Sequence, residues 1–174
     1  LVLGTYGRGI VILDDVSFLA QVTDPILEGE AFLFPVRDAE LFYVGRQGHA
    51  NKAARFAGPN PDYGALITYY VRDASTPADS GAQAEKSGVS IRILDADGDI
   101  IRELSAPDRP GFNRIAWDLK TPAPVADAPD EAEVDEPPAM VNVQPGRYTV
   151  KLSVRGDEWT QTVDVLPDSR RSEP

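Results

Sequence analysis

Cysteine is absent from this chain, and histidine and methionine each occur once. Without thiols there is no disulfide, no thiolate nucleophile and no cysteine-based metal site. Basic residues are scarce: 17 Lys and Arg stand against 28 Asp and Glu, a formal charge of -11. Such a field repels phosphate backbones and anionic lipid, so nucleic acid is not an expected partner. No apolar run reaches bilayer-spanning length, so membrane insertion is not expected either.

What is present is a chain of 174 residues, enough for one domain with attachments. Its 15 Pro and 14 Gly favour turns and short strands over long helices. Leu1 to Leu13 read as two apolar runs around GTYGRG, two strands or one bulged strand. Asp14 and Asp15 then precede VSFLAQV, which predicts one short helix over about Val16–Val22 with an Asp as its cap. AFLFPV (31–36) and AELFYVG (39–45) read as short extended segments, the first an edge or irregular strand because of Pro35. Residues 45–64 form a polar, turn-rich loop, and ALITYYVRD (65–73) a strand.

The C-terminal half alternates more clearly. Val89, Ile91 and Ile93 share one face of a strand, DADGD turns the chain, and IIREL returns as a hairpin. GFNRIAWDLK repeats the alternation through Ile115, Trp117 and Leu119. Tyr148, Val150, Leu152 and Val154 do so again, Arg155-Gly156-Asp157 turns, and Trp159 to Leu166 returns. Two segments, 75–88 and 121–140, are polar and small. The second holds five prolines and six acids, so both are expected as disordered loops. These strands with little helix predict an all-β fold, an antiparallel immunoglobulin/fibronectin-III-like β-sandwich.

Candidate sites are few, and no catalytic residue and no cofactor are expected. Asp95, Asp97 and Asp99 are a weak metal candidate. A helix–loop–helix calcium loop needs Gly at its sixth position and Glu at its twelfth. Here Gly98 comes fourth and Ala106 stands twelfth, so a hairpin tip accounts for the run. Arg155-Gly156-Asp157 is the tripeptide that integrins read, but a turn requires the same residues. His49 lies in a predicted loop with no serine–acid partners near it in sequence. Asp14 and Asp15 are the candidate carboxylate pair for glycoside hydrolysis, with capping as the simpler role. The ligand-binding candidates are Phe56, Tyr63, Tyr69 and Tyr70, whose rings could stack on sugars. The simpler role for these aromatics is a core or an interdomain contact.

LVLGTYGRGIVILDD resembles the closing blade of bacterial sortilin-like β-propeller proteins with BNR-type repeats, where a GT.GRG…LDD run passes into a C-terminal module. The likeness continues through LFPVRDAELF, GPNPDYGALITYY, VSIRILDADGDIIREL, GFNRIAWDLK and QPGRYTVKLSV, in order over nearly the whole chain. The last part is similar to the immunoglobulin-like module of flagellar-hook capping proteins. The resemblance implies an exported, extracytoplasmic bacterial parent, often labelled a glycosyl hydrolase, and no Asp-box of that family occurs in these residues. It implies residues 1–24 as the end of the last blade and a connecting helix, cut from a longer parent. Residues 25–64 would be a linker and irregular strands packing on the sandwich, 65–167 the sandwich, and 168–174 a tail.

Three functions follow as expectations. The first is a non-catalytic accessory module whose partner is the propeller of its own parent chain, with a polysaccharide or protein as a further ligand. The second completes a glycoside hydrolase site with Asp14 or Asp15. The third is a carbohydrate-binding module using the Phe56–Tyr70 region. One prediction depends only on the alternation. Trp117 faces inward, so Trp117→Ala should cost about 3–5 kcal/mol in a denaturant melt. A loss below about 1 kcal/mol would place the ring on the surface.

Overall fold

A computed structural model describes residues 1–7, 9–12, 15–42, 62–73, 88–123 and 139–170. Asp14, His49, Phe56 and the loop segments 75–87 and 124–138 lie outside the described residues.

The chain is all-β apart from a 3-10 turn at Ser17–Gln21 and a one-turn helix, α1, at Asp24–Glu28. Its strands are β1 (Val2–Thr5), β2 (Gly9–Ile12), β3 (Ala31–Leu33), β4 (Ala39–Glu40), β5 (Ala65–Val71) and β6 (Val89–Leu94). They continue as β7 (Ile100–Ser105), β8 (Gly111–Trp117), β9 (Lys120–Pro122), β10 (Met140–Asn142), β11 (Gly146–Val154) and β12 (Asp157–Leu166). A five-stranded sheet runs β4-β12-β11-β6-β7 and a three-stranded sheet runs β3-β5-β8, while β1–β2 and β9–β10 are separate ribbons.

Alternation explains the inner faces. Tyr148, Val150, Leu152 and Val154 of β11 are all buried, as are Val89, Ile91 and Ile93 of β6. They join Ala65, Ile67, Tyr69, Val71 and Trp117 of the smaller sheet in one hydrophobic cluster, so both sheets share a core. Trp117 is fully buried, as its alternation predicts. Its indole N–H donates to the Lys120 carbonyl at 3.1 Å, and its ring meets Tyr148 edge-to-face at 5.3 Å between centroids. Leu119 follows with φ 56°, a left-handed turn that aims its fully buried side chain back into the core.

Several connections differ from expectation. The predicted helix over Val16–Val22 is a 3-10 turn, with α1 placed after it where the sequence reading ended the helix. Pro25 stands in the first turn of α1, where its missing N–H costs nothing. Segment 25–64, expected as a linker with irregular strands packing on the sandwich, supplies a strand to each sheet. β3 is the edge of the smaller one, as Pro35 suggests, and Phe34 extends that ladder by one bond to the Thr68 carbonyl. Pro35 has no N–H to give, and the chain then crosses to the larger sheet, where β4 pairs parallel with β12. The expected wholly antiparallel pairing therefore fails at the β4–β12 edge.

The acidic segment is ordered at its ends. Thr121 pairs with Val141 and Pro122 with Met140 in the β9–β10 ribbon, and the Thr121 hydroxyl donates to the Ile101 carbonyl. The disorder expected over 121–140 is thus not seen at its two ends, because strand pairing satisfies backbone groups that composition alone leaves unpaired. The tail assigned to 168–174 starts with a buried residue, Asp168, ion-paired to Arg170, whose guanidinium lies 3.7 Å over the Phe42 ring.

Gly64 enters β5 with φ 114°, and a Cβ there would lie 1.8 Å from the Trp117 carbonyl oxygen. Gly98, φ 89°, has open space around it. Gly64→Ala should therefore cost at least about 2–3 kcal/mol in a urea melt, against about 1 kcal/mol for Gly98→Ala. Equal costs would mean that the close approach at Trp117 is unimportant.

Candidate functional site

The sequence candidates separate once folded. Asp95 spends its carboxylate on its own turn: Oδ1 accepts the Asp97 and Asp99 backbone N–H groups at 3.0 and 2.9 Å. Gly98 carries the positive φ of that hairpin tip. Among the described residues no group of three or more His, Asp or Glu side chains is placed to hold a metal ion. The Arg-Gly-Asp turn is a two-residue connection in which Arg155 and Gly156 both have positive φ, 52° and 103°, and Asp157 already begins β12. The Arg155 side chain folds back to Glu30 at 3.0 Å and to the Asp73 carbonyl at 2.8 Å. It is engaged in holding the fold, which argues against receptor display.

The aromatic candidates are mostly interior. Tyr69 is fully buried and its hydroxyl donates to the Pro107 carbonyl; burial, with Asp108 nearby, pushes that hydroxyl up from its ordinary value. Tyr70 is buried and donates to the Leu27 carbonyl at 3.1 Å. Neither ring face is available to a sugar, because both side chains of β5 are covered, one by the core and one by the segment before β3. Tyr63 is exposed but paired with Phe42 at 6.3 Å, and its hydroxyl accepts the Phe42 N–H.

A different aromatic group occupies the outer face of the smaller sheet. Phe32, Tyr70 and Phe112 lie in one row across β3, β5 and β8, since Phe32 pairs with Tyr70 and Tyr70 with Phe112. Phe34 packs against Phe32, and Phe18 from the 3-10 turn lies over the row, 5.4 Å from Phe112 and 5.5 Å from Phe34. Thr68 and Arg114 form the next cross-strand pair. Arg114 Nε donates to the Thr68 hydroxyl at 3.0 Å, Nη2 donates to the Asp15 carbonyl at 2.6 Å, and the guanidinium lies over the Phe18 ring at 5.3 Å.

Asp15 therefore sits at the centre of a site. Its backbone is left-handed, φ 40°, a conformation that Asp tolerates better than most residues. Its carboxylate accepts both the backbone N–H and the hydroxyl of Ser17, and lies 3.8 Å from Arg37. Partial burial alone would raise this carboxyl, but the Ser17 hydrogen bonds and the charges of Arg37 and Arg114 outweigh it and hold it below the ordinary 3.8. The expected capping role is not met: the N-cap of the 3-10 turn is Val16, with no side-chain cap bond, and Asp15 instead closes a local turn onto Ser17. Two clefts meet at Asp15. One of about 290 Å3 is lined by Val16, Phe18, Leu19, Thr68, Phe112, Asn113 and Arg114. The other, about 130 Å3, is lined by Arg37, Asp38, Gly64 and Leu66. The sequence pointed to Asp14 and Asp15, of which Asp15 is described; beyond its neighbours Val16 to Leu19, its partners stand roughly 20 to 100 positions away and share no motif with it.

A second candidate surface is the β1–β2 ribbon. Val2 pairs with Ile12, and Gly4 with Ile10. Val2, Ile10 and Ile12 are 64%, 72% and 64% exposed, and Leu3, at the alternate position, is exposed too. Both faces of the ribbon thus present exposed apolar side chains, Val2, Ile10 and Ile12 on one and Leu3 on the other.

Comparison with protein-family models, with curated proteins and with solved structures finds no match.

The low position of the Asp15 carboxyl has a pH consequence. A carboxylate favoured by the folded state stabilises the protein above its unfolded value near 3.8, and that contribution fades as pH falls towards the folded value. Carboxyl-detected NMR should give Asp15 a midpoint below 3.8. Asp15→Asn should be less stable than the parent at pH 7, with the gap closing under strong acid. A midpoint above 3.8 would contradict this arrangement.

Proposed function

We propose that this chain is a non-catalytic accessory module of an exported β-propeller protein, docking on the propeller through the β1–β2 ribbon. The observation that carries the reading is the exposure of Val2, Leu3, Ile10 and Ile12 on both faces of one short ribbon. A ribbon with one apolar face suits the surface of a core, whereas one apolar on both faces suits a position between two layers. Neighbouring blades of a propeller offer such layers. Two four-residue strands are marginal alone, so docking would also stabilise them.

For the body we propose the immunoglobulin-like sandwich. In support, the Tyr148 hydroxyl donates at 2.8 Å to the Gln144 carbonyl four residues upstream, in the manner of the tyrosine corner of such domains. A buried Trp lies against that same Tyr. As for catalysis, the lowered Asp15 carboxyl disfavours a proton-donor role, which leaves the role of nucleophile or base to the hydrolysis assay.

The test pairs the chain with a propeller expressed as a separate polypeptide from the same locus. The propeller should capture the chain. Ile10→Lys and Ile12→Lys should abolish capture while shifting stability by less than about 0.5 kcal/mol. Capture unaffected by both variants would sink the docking reading. Hydrolysis of aryl glycosides by the chain, lost in Asp15→Asn, would replace it with the enzymatic one.

A further inference from the structure

The cleft beside Asp15 carries chemistry that a docking ribbon does not use. One wall is apolar: Phe112 and Leu19 are 44% and 51% exposed, with Phe18 behind them. The rim alternates in sign. Asp15 and Arg114, which is bonded to the Asp15 carbonyl, both line this cleft, while Arg37, 3.8 Å from the Asp15 carboxylate, lines the adjoining smaller one.

This alternation selects among ligands. An anion at the rim meets the Asp15 carboxylate. A cation meets the Arg114 guanidinium. A neutral ring bearing neighbouring hydroxyls meets neither penalty, because each hydroxyl can donate to a carboxylate and accept from a guanidinium. The C–H face of such a ring suits an exposed phenyl group such as Phe112. The larger cleft, about 290 Å3, stands at the small end of ligand pockets and fits a ring-sized group. The polar groups are positioned in advance. Arg114 is fixed by Thr68, Asp15 and the Phe18 face, and Asp15 is fixed by Ser17.

We infer that the cleft between the 3-10 turn and the outer face of β8 binds a neutral sugar ring, one unit of a glycan. The site differs from the Tyr69–Tyr70 region, whose rings are buried, and it stands or falls independently of the docking ribbon.

Saturation-transfer NMR on the 174-residue chain tests it, with cellotriose, maltotriose, xylotriose and mannotriose as probes and benzoate and benzylamine as charged comparators. At least one trisaccharide should show transfer to its ring protons. Phe112→Ala should weaken that binding by about fivefold. Leu19→Ala should weaken it by about twofold, and because Leu19 is half exposed, this variant decides the matter if Phe112→Ala fails to fold. No transfer to any trisaccharide overturns the proposal, as does binding unchanged in both variants. Tighter binding of benzoate or benzylamine than of every sugar also overturns it, in favour of an ionic ligand.

Discussion

The seating of Trp117 is the constraint on which the rest of the molecule depends. A fully buried indole needs an apolar enclosure and an acceptor for its N–H. The enclosure comes from both sheets, with Tyr148 of β11 meeting the ring edge-to-face. The acceptor is the Lys120 carbonyl, which comes within reach only because the chain reverses at Leu119. On the other side, the Trp117 carbonyl presses on Gly64 so closely that no side chain fits there. One residue thus sets the spacing of the sheets, the path into β9 and the start of β5.

Outside that core the molecule is held differently. The 3-10 turn and α1 have no buried residues of their own. Long side chains of the body reach out to them: Arg114 to the Asp15 carbonyl, Tyr70 to the Leu27 carbonyl, Arg72 to the Glu28 carbonyl and Arg155 to Glu30. A segment tied mainly by polar bonds and the Phe18 ring is of the kind that opens at a lower free energy than buried strands. The cleft at Asp15 is the gap between this strap and the sheet. It sits a few residues beyond the exposed β1–β2 ribbon, so both candidate surfaces belong to the least buried part of the chain.

The regular strands were legible where one face meets the core and the other water, as in β6 and β11, because burial on one side imprints a period of two. The parallel pairing of β4 was not legible. Two residues carry no period, and their partner in β12 lies about 125 positions away. The β9–β10 ribbon was hidden for a related reason: its acidic, proline-rich surroundings read as disorder, while its order comes from packing beside β7. Tyr69 and Tyr70 read as possible platforms because an aromatic in a strand can face either way until the cover on each side is known. Asp15 was read as a candidate cap, a role it does not take, and Thr68, Phe112 and Arg114 carried no signal linking them to it.

By itself, the sequence determined the all-β class, the hairpin turns at Gly98 and Gly156, and the inward face of Trp117. These follow from local chemistry: alternation, backbone freedom at glycine, and the cost of leaving an indole in water. Only the tertiary structure decided which strands pair across long distances, which aromatics are covered, and that a charged rim meets an apolar wall beside Asp15. Those outcomes depend on the joint packing of segments far apart in the chain, which no local pattern encodes.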